Sequence, residues 1–161
     1  MDALDLGDLT GYLIRRSQQA HVAAWQKFVS TDITSVQFGV LNVLRSRPGS
    51  SQRELCDDLD LDRSTIADIV ARLQHRGLLH RVRDSVDRRR NVLELTERGR
   101  TEFDLLVPGV RRVDLELTRS LTAAQQAVLR TLLVTMLSGR SGGLDSMPLV
   151  ETPAVVGFTA D

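Results

Sequence analysis

The sequence predicts a mainly α-helical fold carrying one small β-hairpin, and three observations carry that reading. Apolar residues recur at spacings of three and four along most of the chain, as they do in helices that bury one face. Only one region, 78–96, alternates apolar with charged residues at the period of a strand. Capping pairs open the helical segments, and glycine or Pro-Gly closes several of them. With 161 residues, 42% of them hydrophobic, one compact domain is expected, and at 4% aromatic content its core should be aliphatic.

In chain order, the first helix is expected from Asp8 or Thr10 to about Val29, with Leu9, Leu13, Val22, Trp25 and Val29 among its buried positions. Asp5 and Asp8 suit its positive end. Thr34 and Gln37 have capping-box spacing and open a helix through Phe38, Val40, Leu41 and Leu44, which Pro48-Gly49 stops. Ser51 and Glu54 form a second box, starting a short helix whose Leu55, Cys56 and Leu59 point inward. After the turn Asp60-Leu61-Asp62, the positions Ile66, Ile69, Val70 and Leu73 put one apolar stripe on a helix that Gly77 ends. Leu78–Arg83 and Asn91–Thr96 read as paired strands around a polar tip, 84–90, and Gly99 falls one turn into the following helix. Two short helices joined by a tight turn make a helix-turn-helix, and the hairpin after them is its wing.

Beyond Gly99 the apolar positions Phe103, Leu106, Val110, Val113 and Leu117 continue a helix that Pro108-Gly109 should kink or break, since proline costs about 3 kcal/mol in a helix interior. Thr122 and Gln125 open a last helix through Val128, Leu129, Leu132, Leu133 and Met136. These apolar faces exceed what one small lobe can cover, so the first and last helices are expected to pack on symmetry mates in a homodimer. The expected organisation is an N-terminal helix, 1–32, for dimerisation and ligand; a DNA-binding lobe, 33–99; C-terminal dimerisation helices, 100–138; and a mobile tail, 139–161.

Charge says what the lobe is for. Between Arg63 and Arg100 stand ten arginines against five carboxylates, although the chain as a whole balances 21 basic and 21 acidic residues. Such a patch on a helix and its hairpin is the footprint of a phosphate-binding protein. A solvated charged face is the bland alternative. Three consecutive arginines at one tip weigh against it, because they repel one another unless an anion compensates them.

The run Asp87-Arg88-Arg89-Arg90-Asn91-Val92-Leu93-Glu94-Leu95-Thr96-Glu97-Arg98-Gly99 resembles the wing signature of MarR-type regulators, D-x-R followed by a strand that closes on L-T-x-x-G. Leu61-Asp62-Arg63-Ser64-Thr65-Ile66, with Leu73 and Gly77-Leu78-Leu79 behind it, is similar to that family's recognition helix, and the resemblance extends more loosely over about Leu13 to Leu137. It implies a dimeric winged helix-turn-helix repressor released by a small ligand. The exposed face of the recognition helix would offer Arg63, Ser64, Thr65, Asp68 and Arg72 to a major groove. Arg88, Arg89 and Arg90 would reach the flanking minor groove, with Arg89 as the arginine of D-x-R and Asp87 bracing it. Two such units require a near-palindromic double-stranded operator.

The first helix carries an unusual polar cluster. Ile14, Gln18, His21 and Trp25 fall within about 60° on the helical wheel, and Arg15 lies beside them. Together Arg15, Gln18, His21 and Trp25 suit an aromatic acid, whose carboxylate Arg15 can grip bidentately. Leu13-Ile14-Arg15-Arg16 followed by Gln18-Gln19-Ala20-His21 also resembles the subgroup of MarR-type regulators that answers to phenolic acids. A coenzyme A thioester of such an acid is the alternative inducer. The duller reading pairs Arg15 with an acid across the dimer and leaves Trp25 as core.

Other functional classes find little support. Cys56 sits at a core position, where free cysteine behaves as a small hydrophobe, although a redox sensor on the same fold is a second reading. His21, His75 and His80 lack ligand-spaced partners, so neither a metal nor another cofactor is expected. Asp57-Asp58 and Asp60 with Asp62 are better explained by helix capping than by acid-base chemistry. The lipase, zinc-protease, Walker and dinucleotide motifs are absent from the sequence, and an enzyme is not expected; a helical enzyme or interaction module that ignores DNA is the remote alternative. With no run of about 18 apolar residues, no secretion signal and a single cysteine, the chain reads as cytoplasmic and independent of membranes.

Overall fold

The computed structural model describes residues 4–83 and 91–138. The expected tail, 139–161, lies outside them. The elements are a 3₁₀ turn, Leu6–Asp8, then α1 (Thr10–Phe28), α2 (Ser35–Ser46), α3 (Gln52–Leu59), α4 (Arg63–His75), β1 (Leu79–Arg83), β2 (Asn91–Leu95), α5 (Glu97–Thr118) and α6 (Ala123–Ser138). The described part is therefore helical with one antiparallel hairpin, in register from Leu79 opposite Leu95 to Arg83 opposite Asn91. The chain divides into two compact units, Met1–Ser120 and Leu121–Asp161.

Local chemistry sets the element ends of the first unit. Thr34 and Gln37 close a complete capping box on α2, and Ser51 with Glu54 does the same for α3. Gly77 takes φ +70°, the left-handed conformation that lets the chain leave α4 and enter β1. An isolated bridge after α2 was not expected: Gly49 N donates to Leu93 O at 3.0 Å and Leu93 N donates to Ser50 O at 2.9 Å, so Ser50 pairs with Leu93 of β2.

The core of the lobe is a continuous set of aliphatic side chains, among them Leu41, Leu44, Leu55, Ile66, Val70, Leu73 and Leu93, closed by Phe103 and Leu106 of α5. The aliphatic expectation holds there, with one departure. Trp25, Phe38 and Phe103 form a column from α1 through α2 to α5, with ring centroids 5.7 Å and then 5.2 Å apart.

On the long helices, the break allowed for at Pro108-Gly109 is absent and several positions expected to be buried are exposed. Pro108 does not break α5, which runs unbroken from Glu97 to Thr118. Proline forfeits one backbone hydrogen bond, but Phe103 and Leu106 before it and Val113 after it are buried, so packing holds both turns in one helix. Gly109 adds to this, because a Cβ there would lie 2.3 Å from the carbonyl oxygen of Phe28. The bare backbone lets α1 and α5 cross at that point. The second difference is burial on α1: Leu9, Leu13 and Val22 are 38%, 49% and 43% exposed, and only Ala24 and Trp25 are buried. Leu117 of α5 is exposed as well. Periodicity identified an apolar face but not what covers it.

In the second unit, Thr122 and Gln125 make their reciprocal hydrogen bonds at the start of α6. No residue of α6 is buried, and Leu132 is 61% exposed.

Candidate functional site

The α3–turn–α4 unit is built to present one helix face. Asp60 in the left-handed conformation turns the chain, and Asp62 caps α4 by accepting from Thr65 N at 2.9 Å. The hydroxyls of Ser64 and Thr65 also donate to that carboxylate. These donors, Ser64 first, hold Asp62 far below the usual carboxylate range, so it stays ionised at the positive end of the helix. Each hydroxyl donates to Asp62 and keeps its own lone pairs for accepting. Arg63, Ser64, Asp68 and Arg72 are exposed, Thr65 is half-buried, and Arg63, Asp68 and Arg72 form no ion pair with another described residue. Ile66, Val70 and Leu73 fix the opposite face of α4 in the core.

The hairpin is anchored at its base by the residues that resemble the L-T-x-x-G signature. Thr96 caps α5 by accepting from Gly99 N, donates its hydroxyl to Gly77 O at 2.7 Å, and donates its backbone N–H to Leu78 O. A Cβ on Gly99 would fall 1.8 Å from that Leu78 oxygen. Thr96 and Gly99 thus weld the end of β2 to the turn between α4 and β1. Arg81 Nε donates to Gln74 Oε1 at 3.3 Å, tying β1 to the last turn of α4. The wing residues Asp87, Arg88, Arg89 and Arg90 lie outside the described residues.

The α1 cluster is divided by burial. Trp25 is buried, its indole N–H donates to Ile33 O at 2.7 Å, and its ring is 5.9 Å from that of His21. His21 is half-buried, and its Nδ1 is buried without a hydrogen-bond partner among the described residues. Arg15 and Gln18 are exposed, and the Arg15 guanidinium sits 5.0 Å from the Tyr12 ring centre. A cleft of about 140 Å³ opens beside Trp25, lined also by Val22, Gln26, Ser30, Ile33 and Thr34. Sequence reasoning missed the segment 30–35 as a wall of this cleft, because nothing local ties it to α1. Cys56 is half-buried against the core. No described helix is long and apolar enough to cross a membrane.

A capped helix-turn-helix, an outward helix face without internal ion pairs and a welded hairpin define a winged-helix DNA-binding regulator. The comparisons with known proteins give it a family. Residues 31–90 match the MarR family model. The repressor NicR of Pseudomonas putida is 35% identical over 134 residues, 83% of this chain and 85% of its own. The PcaV regulator of Streptomyces coelicolor, solved with its natural ligand, is 42% identical with a TM-score of 0.81, over 86% of this chain and 98% of that one. BpsR of Bordetella bronchiseptica, whose DNA binding is regulated by 6-hydroxynicotinic acid, is 29% identical with a TM-score of 0.77, over 84% and 97%. The chain belongs to the MarR family of transcriptional regulators.

Proposed function

We propose that this regulator is a cytoplasmic homodimeric repressor of a catabolic operon, and not an enzyme, released by an aromatic acid held at Arg15, Gln18, His21 and Trp25. The observation that carries the ligand site is the buried, partnerless Nδ1 of His21 beside the Trp25 ring and the adjoining cleft. A buried polar atom without a partner is costly, and a ligand hydroxyl or carboxylate would satisfy it. Exposed Arg15 is free to supply the charge-assisted contact to a carboxylate. Of the four residues only Trp25 lines the cleft of about 140 Å³, which has room for a small aromatic ring. Similarity to BpsR, which answers to 6-hydroxynicotinic acid, points the same way.

Dimerisation is supported by the apolar side chains left bare in the single chain. Leu9 just before α1, Leu13 on α1, Leu105 and Leu115 on α5, and Leu132 on α6 are all exposed. In this reading 1–32 and 100–138 make the dimer, 33–99 binds a near-palindromic operator through Arg63, Ser64, Thr65, Asp68 and Arg72, and Arg88, Arg89 and Arg90 enter the flanking minor groove with Asp87 as brace. Calorimetry with 6-hydroxynicotinate, protocatechuate-like and cinnamate-like acids and their thioesters tests the site. The expected result is acid binding that Arg15→Ala weakens by about tenfold or more, as loss of a charged hydrogen bond does. An acid bound equally tightly by Arg15→Ala would refute the carboxylate clamp.

A further inference from the structure

A ligand against α1 can affect DNA by altering α4, and one peptide segment is hydrogen-bonded to both helices. Ser30 Oγ accepts from both Asp32 N at 2.9 Å and Ile33 N at 3.0 Å, which folds the link between α1 and α2 into a tight loop. The Ile33 side chain is fully buried in the core. From this loop two consecutive carbonyls accept from different helices. Ile33 O accepts from the indole of Trp25 on α1, and Asp32 O accepts from Arg76 Nη1 at 2.7 Å. Arg76 is the C-cap of α4, 44 residues further along the chain. The same loop, through Ser30, Thr31, Ile33 and Thr34, walls the cleft beside Trp25.

We infer that Arg76 is a positioning residue that couples this cleft to the recognition helix through the Asp32 carbonyl. The inference deepens the proposed function and rests on it for the identity of the inducer. A ligand that displaces the Asp32–Ile33 peptides must either drag the end of α4 or break a charge-assisted hydrogen bond. The rest of α4 is fixed by Ile66, Val70 and Leu73, so a shift at Arg76 tilts a rigid body rather than unwinding it. Coupling of this kind is reciprocal. DNA that re-seats α4 must therefore be felt at Trp25.

Trp25 is the only tryptophan of the chain, so its emission reports this loop without a label. The test titrates full-length native protein, Arg76→Met and Arg76→Lys with a fluorescent duplex from the region upstream of the protein's own coding sequence. Anisotropy reads binding, tryptophan emission reads the relay, and thermal melts confirm folding. In the native protein Trp25 emission should change as the duplex saturates. Arg76→Met should bind the duplex within about threefold of native, yet give less than about a quarter of the emission change, while Arg76→Lys, which still donates, keeps more than about half. A full emission change in Arg76→Met, or none in the native protein, overturns the relay. So does loss of duplex binding by both variants, which would make Arg76 a DNA contact. If Arg76→Met does not fold, Ser30→Ala loosens the same loop from its other side, with the same expected and refuting outcomes. The inducer reading is judged separately: 6-hydroxynicotinate and the other acids releasing Arg76→Met as fully as native protein refutes the relay alone. No release of native protein by any of them, with an Arg76-dependent Trp25 response to DNA, refutes the aromatic-acid reading alone.

Discussion

The lobe from α2 to β2 and the final helix α6 are opposite solutions to the same problem. Every element of the lobe buries its apolar face within the chain: Leu41, Leu55, Ile66 and Leu93 are at or below 1% exposed. On α6 nothing is buried, although ten of its 16 residues are apolar. The difference is that the lobe covers its apolar faces within one copy, whereas those of α6 and the N-terminal half of α1 stay bare, which in the proposed dimer is surface for a second copy. Recognition and assembly are thus separable, and substitutions should distinguish them.

The largest expected effect is in the lobe. Ile66→Ala should cost about 2–5 kcal/mol, as core truncations do, and the loss should not depend on protein concentration. Leu132→Glu on α6 should instead shift the protein towards monomer in sedimentation and remove the concentration dependence that a dimer's melting temperature shows. A Leu132→Glu variant that stays dimeric and melts with the concentration dependence of native protein would erase the contrast. Gly99→Ala comes next, at about 1–3 kcal/mol or more, because its Cβ would strike the Leu78 carbonyl rather than a movable side chain. Chemical denaturation of the variant measures it.

Much of this contrast was legible in the residues, and the illegible part has a common cause. The capping pairs Thr34/Gln37, Ser51/Glu54 and Thr122/Gln125, the turn at Gly77 and the entry to α5 at Thr96 are local, with partners within a few residues, so spacing alone announces them. The bridge between Ser50 and Leu93, the column Trp25–Phe38–Phe103 and the bond from Arg76 to Asp32 join residues distant in sequence. No periodicity encodes such pairs. Pro108 failed as a break for a related reason: a local penalty was weighed without the burial of Phe103, Leu106 and Val113 that overrides it. At the site, the exposed face of α4 followed from its apolar stripe, but the cleft needed a loop whose approach to α1 depends on the fold.

Smaller effects sharpen the account of the reading head. Arg63→Ala should change which operator sequences are preferred, by about 1–3 kcal/mol at one base position, in competition binding. Arg89→Ala should leave preference largely intact and reduce the salt slope by about 1, as loss of one phosphate contact does; unchanged affinity and slope would remove the wing from the interface. The smallest effect is on acid stability. The Asp62 carboxyl is held below its ordinary value near 3.8, so its contribution is complete above that pH and lost as pH falls below it. Asp62→Asn should therefore flatten acid unfolding in that range, and an unaltered acid limb would contradict the cap.

The most direct test of the central claim, a self-sufficient reading lobe used in twofold pairs, is a hydroxyl-radical footprint on the region upstream of the protein's own coding sequence. The account predicts two protected half-sites of inverted symmetry on one face of the DNA, centred about 10 base pairs apart. A single isolated half-site, or protection without inverted symmetry, would contradict it.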